Sequence, residues 1–272
     1  MSKETAGADG SPSEKQDSSL GSVSKTIRTL QAFTVSRPEW TLTQLSKELD
    51  ISKGTMTNIL KTLQSFGYIS KSPNRCYRLG VNLLELSYHL RASLPILHYA
   101  IPVMEDIQRQ TSQIVYLTIP KCGQVFYLQS VNPGNRNISY SITGKCSYMH
   151  SSAPGKAMLS AMSDADVDRI IQKYGLPSLT ATTITQPDKL KKELVRIRQR
   201  GYAIDNCEDA PHVKCLAVPI VSSNRLIGAI SLSGSAISMN EEAFPAWAEL
   251  LSSAATLFAS YEDLFPPCAP LP

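Results

Sequence analysis

The 272-residue sequence predicts an α+β fold with a helical N-terminal part and a mixed C-terminal part. Three observations predict it. Apart from one short pair of strand-like runs after Phe66, apolar residues recur at helical spacing as far as position 113, and the longer β-branched and aromatic runs follow from Ile114 onwards. Basic residues are also unevenly spread. Between positions 20 and 80, Lys25, Arg28, Arg37, Lys47, Lys53, Lys61, Lys71, Arg75 and Arg78 face only Glu39, Glu48 and Asp50, whereas charges balance over 81–272. The expected divisions are a loose polar tail at 1–19, a basic, largely helical domain at 20–80, a linker helix at 81–94, a mixed helix-and-strand domain at 95–263 and a flexible tail at 264–272.

Residues 41–66 read as two helices joined by a tight turn. Thr41 can cap the first and Gln44 completes a capping box, with Leu42, Leu45 and Leu49 on one face. Asp50-Ile51-Ser52 interrupts the pattern. Ser52 is a good cap for a second helix, in which Met56, Ile59, Leu60 and Leu63 share the inner face. The outer face carries Gly54, Asn58 and Lys61, flanked by Lys53, Thr55, Thr57 and Thr62, with no acidic residue to repel phosphate. Such a pair can read DNA or merely turn a corner. Gly67 can end the second helix, after which 68–71 and 75–79 read as strands around Ser72-Pro73-Asn74, with Lys71 and Arg75 near the tip. A winged helix-turn-helix is the economical reading, and local basicity is what phosphate contacts require. A preceding helix from Ser22 should cover this pair with Val23, Ile27, Leu30 and Phe33. Ser24 and Lys25 then lie near its start, where a phosphate is also favoured.

After Gly80, the leucines of Val81 to Ala92 and Tyr88 spread over more than one stripe, so this helix wants two partners, one of which can be its copy in a second subunit. A helix over 95–113 leads to strands at 114–119 and 125–128 around Lys121-Cys122-Gly123, and to a third at 138–142. Helices follow near 153–162, at 163–174 with Ser163 as cap, and from Pro187 to Gly201. Strands at 202–205, 215–220 and 226–233, the last two joined by Asn224-Arg225, precede a helix from Glu241 to about Tyr261. Ser231 and Ser233 share one face of the final strand and need polar partners, either each other, nearby backbone or a ligand.

No apolar run is long enough for a membrane span and the N-terminus lacks a signal-peptide core, so a cytoplasmic protein is expected. The six cysteines form no C-x-x-C pair, and the four histidines have no metal-ligand spacing; neither metal nor cofactor is expected.

Several separated motifs resemble the IclR family of bacterial transcription regulators over roughly residues 20–262: LTQLSKELDISKGTMTNILKTLQSFGYI with YRLG, MHSSAPGKAML, RGYAIDNCEDAPHVKCLAVPI and AISLSGS. The resemblance implies a GAF-like or PAS-like effector-binding domain with a central antiparallel sheet. It also implies a homodimer or homotetramer on double-stranded operator DNA, and a small effector such as a carboxylate or aromatic acid. Carried over by motif, the effector contacts are Met149, Ala153, Pro154, Gly155, Asp205, Cys215, Ser231 and Ser233. Departures from the pattern are Pro154, which has no N–H to offer; His212, where glycine is usual; and Asn58, where arginine is common and adenine in place of guanine becomes the preferred base. Two alternatives stay open. One is a thiol-redox sensor that still binds DNA; the other is an enzyme with Cys215 as nucleophile and His150 or His212 as base.

Overall fold

The structure, a computed structural model, describes residues 21–134 and 142–267. It divides into two compact units, 1–91 and 92–272. Among the described residues, no helix is long and apolar enough to cross a membrane.

The first unit begins with α1 (Gly21–Gln31), followed by the short strand β1 (Trp40–Thr41), α2 (Leu42–Glu48) and α3 (Lys53–Ser65). The capping box forms as the sequence predicts. The Thr41 N–H donates to Gln44 Oε1 at 2.9 Å, and the Gln44 N–H donates to Thr41 Oγ1 at 3.3 Å. Ser52 Oγ accepts the Thr55 N–H at 3.3 Å, and Met56, Ile59, Leu60 and Leu63 are buried together. Gly67 takes φ +71°, which lets the chain leave α3 for the hairpin of β2 (Ile69–Lys71) and β3 (Cys76–Leu79). Strand β1 was not expected. It pairs Trp40 with Tyr77 and makes the wing a three-stranded sheet.

The expected inner face of α1 is only partly right. Val23 and Ile27 are 54% and 50% exposed, while Thr29 is fully buried. Thr29 can enter the core because its hydroxyl donates to the Lys25 carbonyl at 2.8 Å and so buries no unmet polarity. The helix is rotated accordingly, with Thr29 inward and Phe33, just beyond its end, also buried. Helix α4 (Asn82–Ala92) starts where Asn82 Nδ2 donates to the Phe66 carbonyl at 2.9 Å, and it buries none of its residues.

The second unit starts with α5 (Pro95–Thr111), then the hairpin β4 (Ile114–Lys121) and β5 (Gln124–Val131). Residues 138–141 of the expected third strand lie outside the described residues. A short strand β6 (Cys146–Ser147) precedes α6 (Ala153–Ser160), α7 (Asp164–Tyr174) and α8 (Pro187–Arg200). Then come β7 (Ala203–Asn206), β8 (Val213–Ser222), β9 (Arg225–Ser235) and α9 (Phe244–Ala259). The last hairpin turns at Ser223-Asn224, one residue earlier than expected, because both adopt positive φ (+47° and +63°) and Arg225 already pairs with Ser222. The final helix is α-helical only from Phe244, after a 3₁₀ turn over Glu241–Ala243, since Pro245 has no N–H and fits only the first turn.

The sheet has the order β6-β5-β4-β9-β8-β7 and is antiparallel throughout. One face, through Val115, Leu117, Leu216, Val218, Ile230 and Leu232, packs on α5 and α9. The other, through Tyr116, Ala217 and Ala229, packs on α6, α7 and α8. Helix α6 is buried along its entire length. A Cβ at Gly155 would overlap the Met149 backbone, so this glycine sets how closely α6 approaches the preceding loop. Gly155→Ala should therefore cost about 1–3 kcal/mol, the range for overpacking. The check is a thermal melt, in which an unchanged Tm would remove this contact from the account.

Candidate functional site

In the first unit, the outer face of α3 is open. Lys53, Gly54, Asn58 and Lys61 are exposed, and Lys53, Asn58 and Lys61 have no side-chain partner among the described residues. Thr55 and Thr57 are half-buried. Thr55 accepts a bond from Ser52 Oγ at 2.9 Å, and Thr57 Oγ1 donates to the Lys53 carbonyl at 2.7 Å, so both hydroxyls already serve the first turn. A Cβ at Gly54 would meet nothing, so packing within the chain does not require glycine there. Ser24 and Lys25 are exposed on α1. On the wing, Lys71 sits 5.3 Å from the Tyr77 ring centre, and Arg75 holds φ +60° in the turn.

Other cations of this unit are used internally. Arg28 donates to the Leu49 carbonyl at 3.1 Å, Arg78 pairs with Glu39, and Arg37 stacks on Trp40 and pairs with Glu48 at 3.7 Å. Two of the three acidic groups between positions 20 and 80 are thereby neutralised. The unpaired cations that remain include Lys25, Lys53, Lys61 and Arg75, a surface suited to a polyanion.

The second unit holds a cavity of about 450 Å³ between the α6 face of the sheet, the start of α6 and the loop after β7. Its floor follows strand register. Asp205 lies opposite Cys215, Cys215 opposite Ser233 and Ser233 opposite Ile114, one row across four strands. In the next row Ser231 lies opposite Tyr116. Of the predicted contacts, Pro154, Asp205, Cys215, Ser231 and Ser233 line the cavity. Met149, Ala153 and Gly155 do not; they are buried in the packing of α6, and the Gly155 N–H is taken by Ser152 Oγ at 3.3 Å. The backbone donors expected at this helix start are thus reduced by Pro154 and by the Ser152 cap.

Sequence reasoning missed Tyr116, Tyr127, Lys145, Ser147 and Asp209 as lining residues, and His212, noted only as a departure, joins them. Period-two alternation marks Tyr116 as sharing a face with Ile114, but only the pairing of β4 with β9 brings it to Ser231.

Burial pushes the Asp205 carboxyl up to about 7, against the opposing effects of the Glu208 N–H bond and Lys156. Asp205 Oδ1 accepts N–H bonds from Glu208 at 2.6 Å and from Asp209 at 3.4 Å. Beneath it, Lys156 and Glu208 form a buried ion pair, and Ser151 Oγ donates to Asp209 at 2.8 Å. Tyr116 is raised to about 12 and Tyr127 well above its ordinary value, both mainly by burial, so both phenols stay neutral. The Ser147 hydroxyl is close enough to favour ionised Tyr127, yet Ser147 Oγ is buried outside hydrogen-bonding geometry with any described residue.

Burial also pushes the Cys215 thiol well up, with Asp205 adding to the effect, and Sγ donates to Ser233 Oγ at 3.3 Å. A thiol held protonated is a poor nucleophile and a poor target for oxidation. His150 does not line the cavity; its Nε2 is bonded to the Pro177 carbonyl at 3.0 Å, and burial lowers its basicity. Among the described residues, no cluster of His, Cys, Asp and Glu could hold a metal.

Known protein families match stretches of both units. The family model for the bacterial transcriptional regulator IclR C-terminal domain matches residues 89–258, and that for the IclR helix-turn-helix domain matches residues 22–73. The transcriptional regulator XynR of Escherichia coli K12 is 31% identical over 216 residues, covering 79% of this chain and 86% of XynR. A crystal structure of an IclR-type regulator from Silicibacter sp. TM1040 superposes with a TM-score of 0.75 at 25% identity, covering 93% of this chain and all of that one. An IclR homologue from Microbacterium hydrocarbonoxydans, solved with 4-hydroxybenzoate, shares the fold with a TM-score of 0.71 at 22% identity, covering 89% and 99%. The matched families and relatives are regulators and not enzymes. The chain belongs to the IclR family of bacterial transcriptional regulators, which bind DNA through a helix-turn-helix domain and carry a C-terminal effector-binding domain.

Proposed function

We propose that this regulator acts in the cytoplasm and changes its affinity for operator DNA when a small molecule occupies the cavity of the second unit. The observation that carries the reading is the cavity of about 450 Å³, a size suited to a small metabolite, with Asp205, Cys215, Ser231 and Ser233 on its wall. A carboxylate or aromatic acid is the first class to screen, since a homologue of the same fold holds 4-hydroxybenzoate. The ligand acts only through its difference in affinity between DNA-competent and incompetent arrangements.

On the DNA side, α3 enters the major groove. Asn58 and the short side chains beside Gly54 reach base edges, and Lys53, Lys61, Lys71, Arg75, Ser24 and Lys25 hold phosphates. The exposed Leu84 and Tyr88 of α4, 72% and 68% accessible, support self-association as a homodimer or homotetramer that presents two such helices to one duplex.

Fluorescence polarisation against the upstream intergenic DNA, over a salt series, tests the interface. Lys61→Ala and Lys71→Ala should each reduce the slope of log affinity against log salt by about one, and an unchanged slope would take that lysine off the phosphates. Gly54→Ala has room for its methyl group and should stabilise the free protein by up to about 1 kcal/mol while weakening operator binding. Equal affinity would mean that no DNA group approaches there. With Ser231→Ala and Ser233→Ala combined, operator affinity should no longer depend on effector; a persisting response would move the effector elsewhere.

A further inference from the structure

The cavity's polar groups are unequal in depth and in kind. Ser231 is 1% exposed, lines the cavity and makes no hydrogen bond with its side chain to any described residue. The Tyr116 hydroxyl likewise has no partner among the described residues, and Ser147 Oγ is buried without one. Tyr127 stands edge-on to Tyr116, ring centres 5.1 Å apart. The hydroxyls of Ser231 and Tyr116 open onto the cavity with no partner among the described residues, and the buried Ser147 Oγ lacks the partner such groups normally find, so all three are available to a ligand.

The same end is poorly made for an anion. Its carboxyl groups are Asp205 and Asp209, and the nearby cation Lys156 is already held by Glu208. The start of α6 offers little, because Pro154 has no N–H and Ser152 occupies that of Gly155. No arginine is among the described residues that line the cavity. Lys145, which does line it, is exposed and belongs to the rim, as does His212.

We propose that the buried end of the cavity is a hydroxyl-recognition subsite formed by Tyr116, Tyr127, Ser147 and Ser231, so that the effector is a hydroxylated compound and any carboxylate it carries stays at the Lys145 rim. A hydroxyl both donates and accepts, which matches neighbours that are neutral hydroxyls beside a carboxyl group. A buried carboxylate would meet like charge with no free cation. The inference rests on the effector-binding reading above and adds the ligand's chemistry and its orientation.

Matched ligands test it. Calorimetric titration of the full chain would compare 4-hydroxybenzoate with benzoate and 4-hydroxybenzyl alcohol with benzyl alcohol. In at least one pair the hydroxylated member should bind about 10- to 100-fold tighter, the span expected when a buried polar site loses its partner. That preference should shrink towards unity in Ser231→Ala and Tyr116→Phe, each of which removes a single oxygen and is checked for folding by its Tm. Lys145→Ala should weaken the acids and spare the alcohols. Equal binding within both pairs, a preference that survives both substitutions, or no binding by any of the four would overturn the subsite. Operator binding, measured separately, keeps the two readings apart: its loss sinks the regulator mechanism, whereas operator binding without a hydroxyl preference sinks only the subsite.

Discussion

A lysine cannot be left charged and alone inside a helix that is buried along its whole length, and that constraint organises the effector domain. Lys156 is 1% exposed within α6, and Glu208 answers it from the loop after β7. Removing one partner of such a pair costs about 3–5 kcal/mol, because the other charge stays buried. The loop must therefore remain against α6. Its Glu208 N–H then bonds to Asp205, and Asp209 takes the Ser151 hydroxyl. Asp205 is held at the cavity wall by consequences of the ion pair and not by any ligand. The polar end is preorganised, and preorganisation lowers the cost of binding.

Charge is handled in the opposite way in the DNA-binding unit. There the acidic side chains Glu39 and Glu48 are consumed by Arg78 and Arg37, residues that also brace the wing and the Trp40 strand. Each pair is exposed enough that its own stabilisation is small. Its larger effect is on the field, since pairing these acids leaves Asp50 as the one carboxylate of 20–80 not held in an ion pair among the described residues, against the lysines of α1, α3 and the wing. Phosphates can then displace only water and salt, which is the origin of a salt-dependent affinity.

What could be read from sequence divides along the same line as what is local. The Thr41–Gln44 box, the Ser52 cap, the Gly67 exit and the buried face of α3 depend on residues within a few positions of one another, and all take the expected form. Val23 and Ile27 were misjudged because hydrophobicity alone favoured them, whereas Thr29 enters the core by satisfying its hydroxyl within its own helix. Strand β1 is only two residues long and exists because β3 pairs with it, which no local pattern announces. The cavity divides similarly. Asp205, Cys215, Ser231 and Ser233 came from motifs, but Tyr116 and Tyr127 reach them only through the β4–β9 and β4–β5 pairings. Motif carry-over also points to Met149, Ala153 and Gly155, which are buried in α6 or the loop before it and do not line the cavity.

Helix α4 carries the remaining consequence. It has eleven residues, none of them buried, and helices of that length are marginal in water on their own. Exposed leucines and a tyrosine make its stability depend on what covers them. In the proposed dimer that cover is a second copy, so the order of α4 rises with protomer concentration by mass action. In that proposed dimer, a ligand that favours one arrangement of the effector domains would bias α4 as well, and through it the separation of the two recognition helices. By linkage the coupling is reciprocal: operator DNA must change effector affinity by the same factor that effector changes operator affinity.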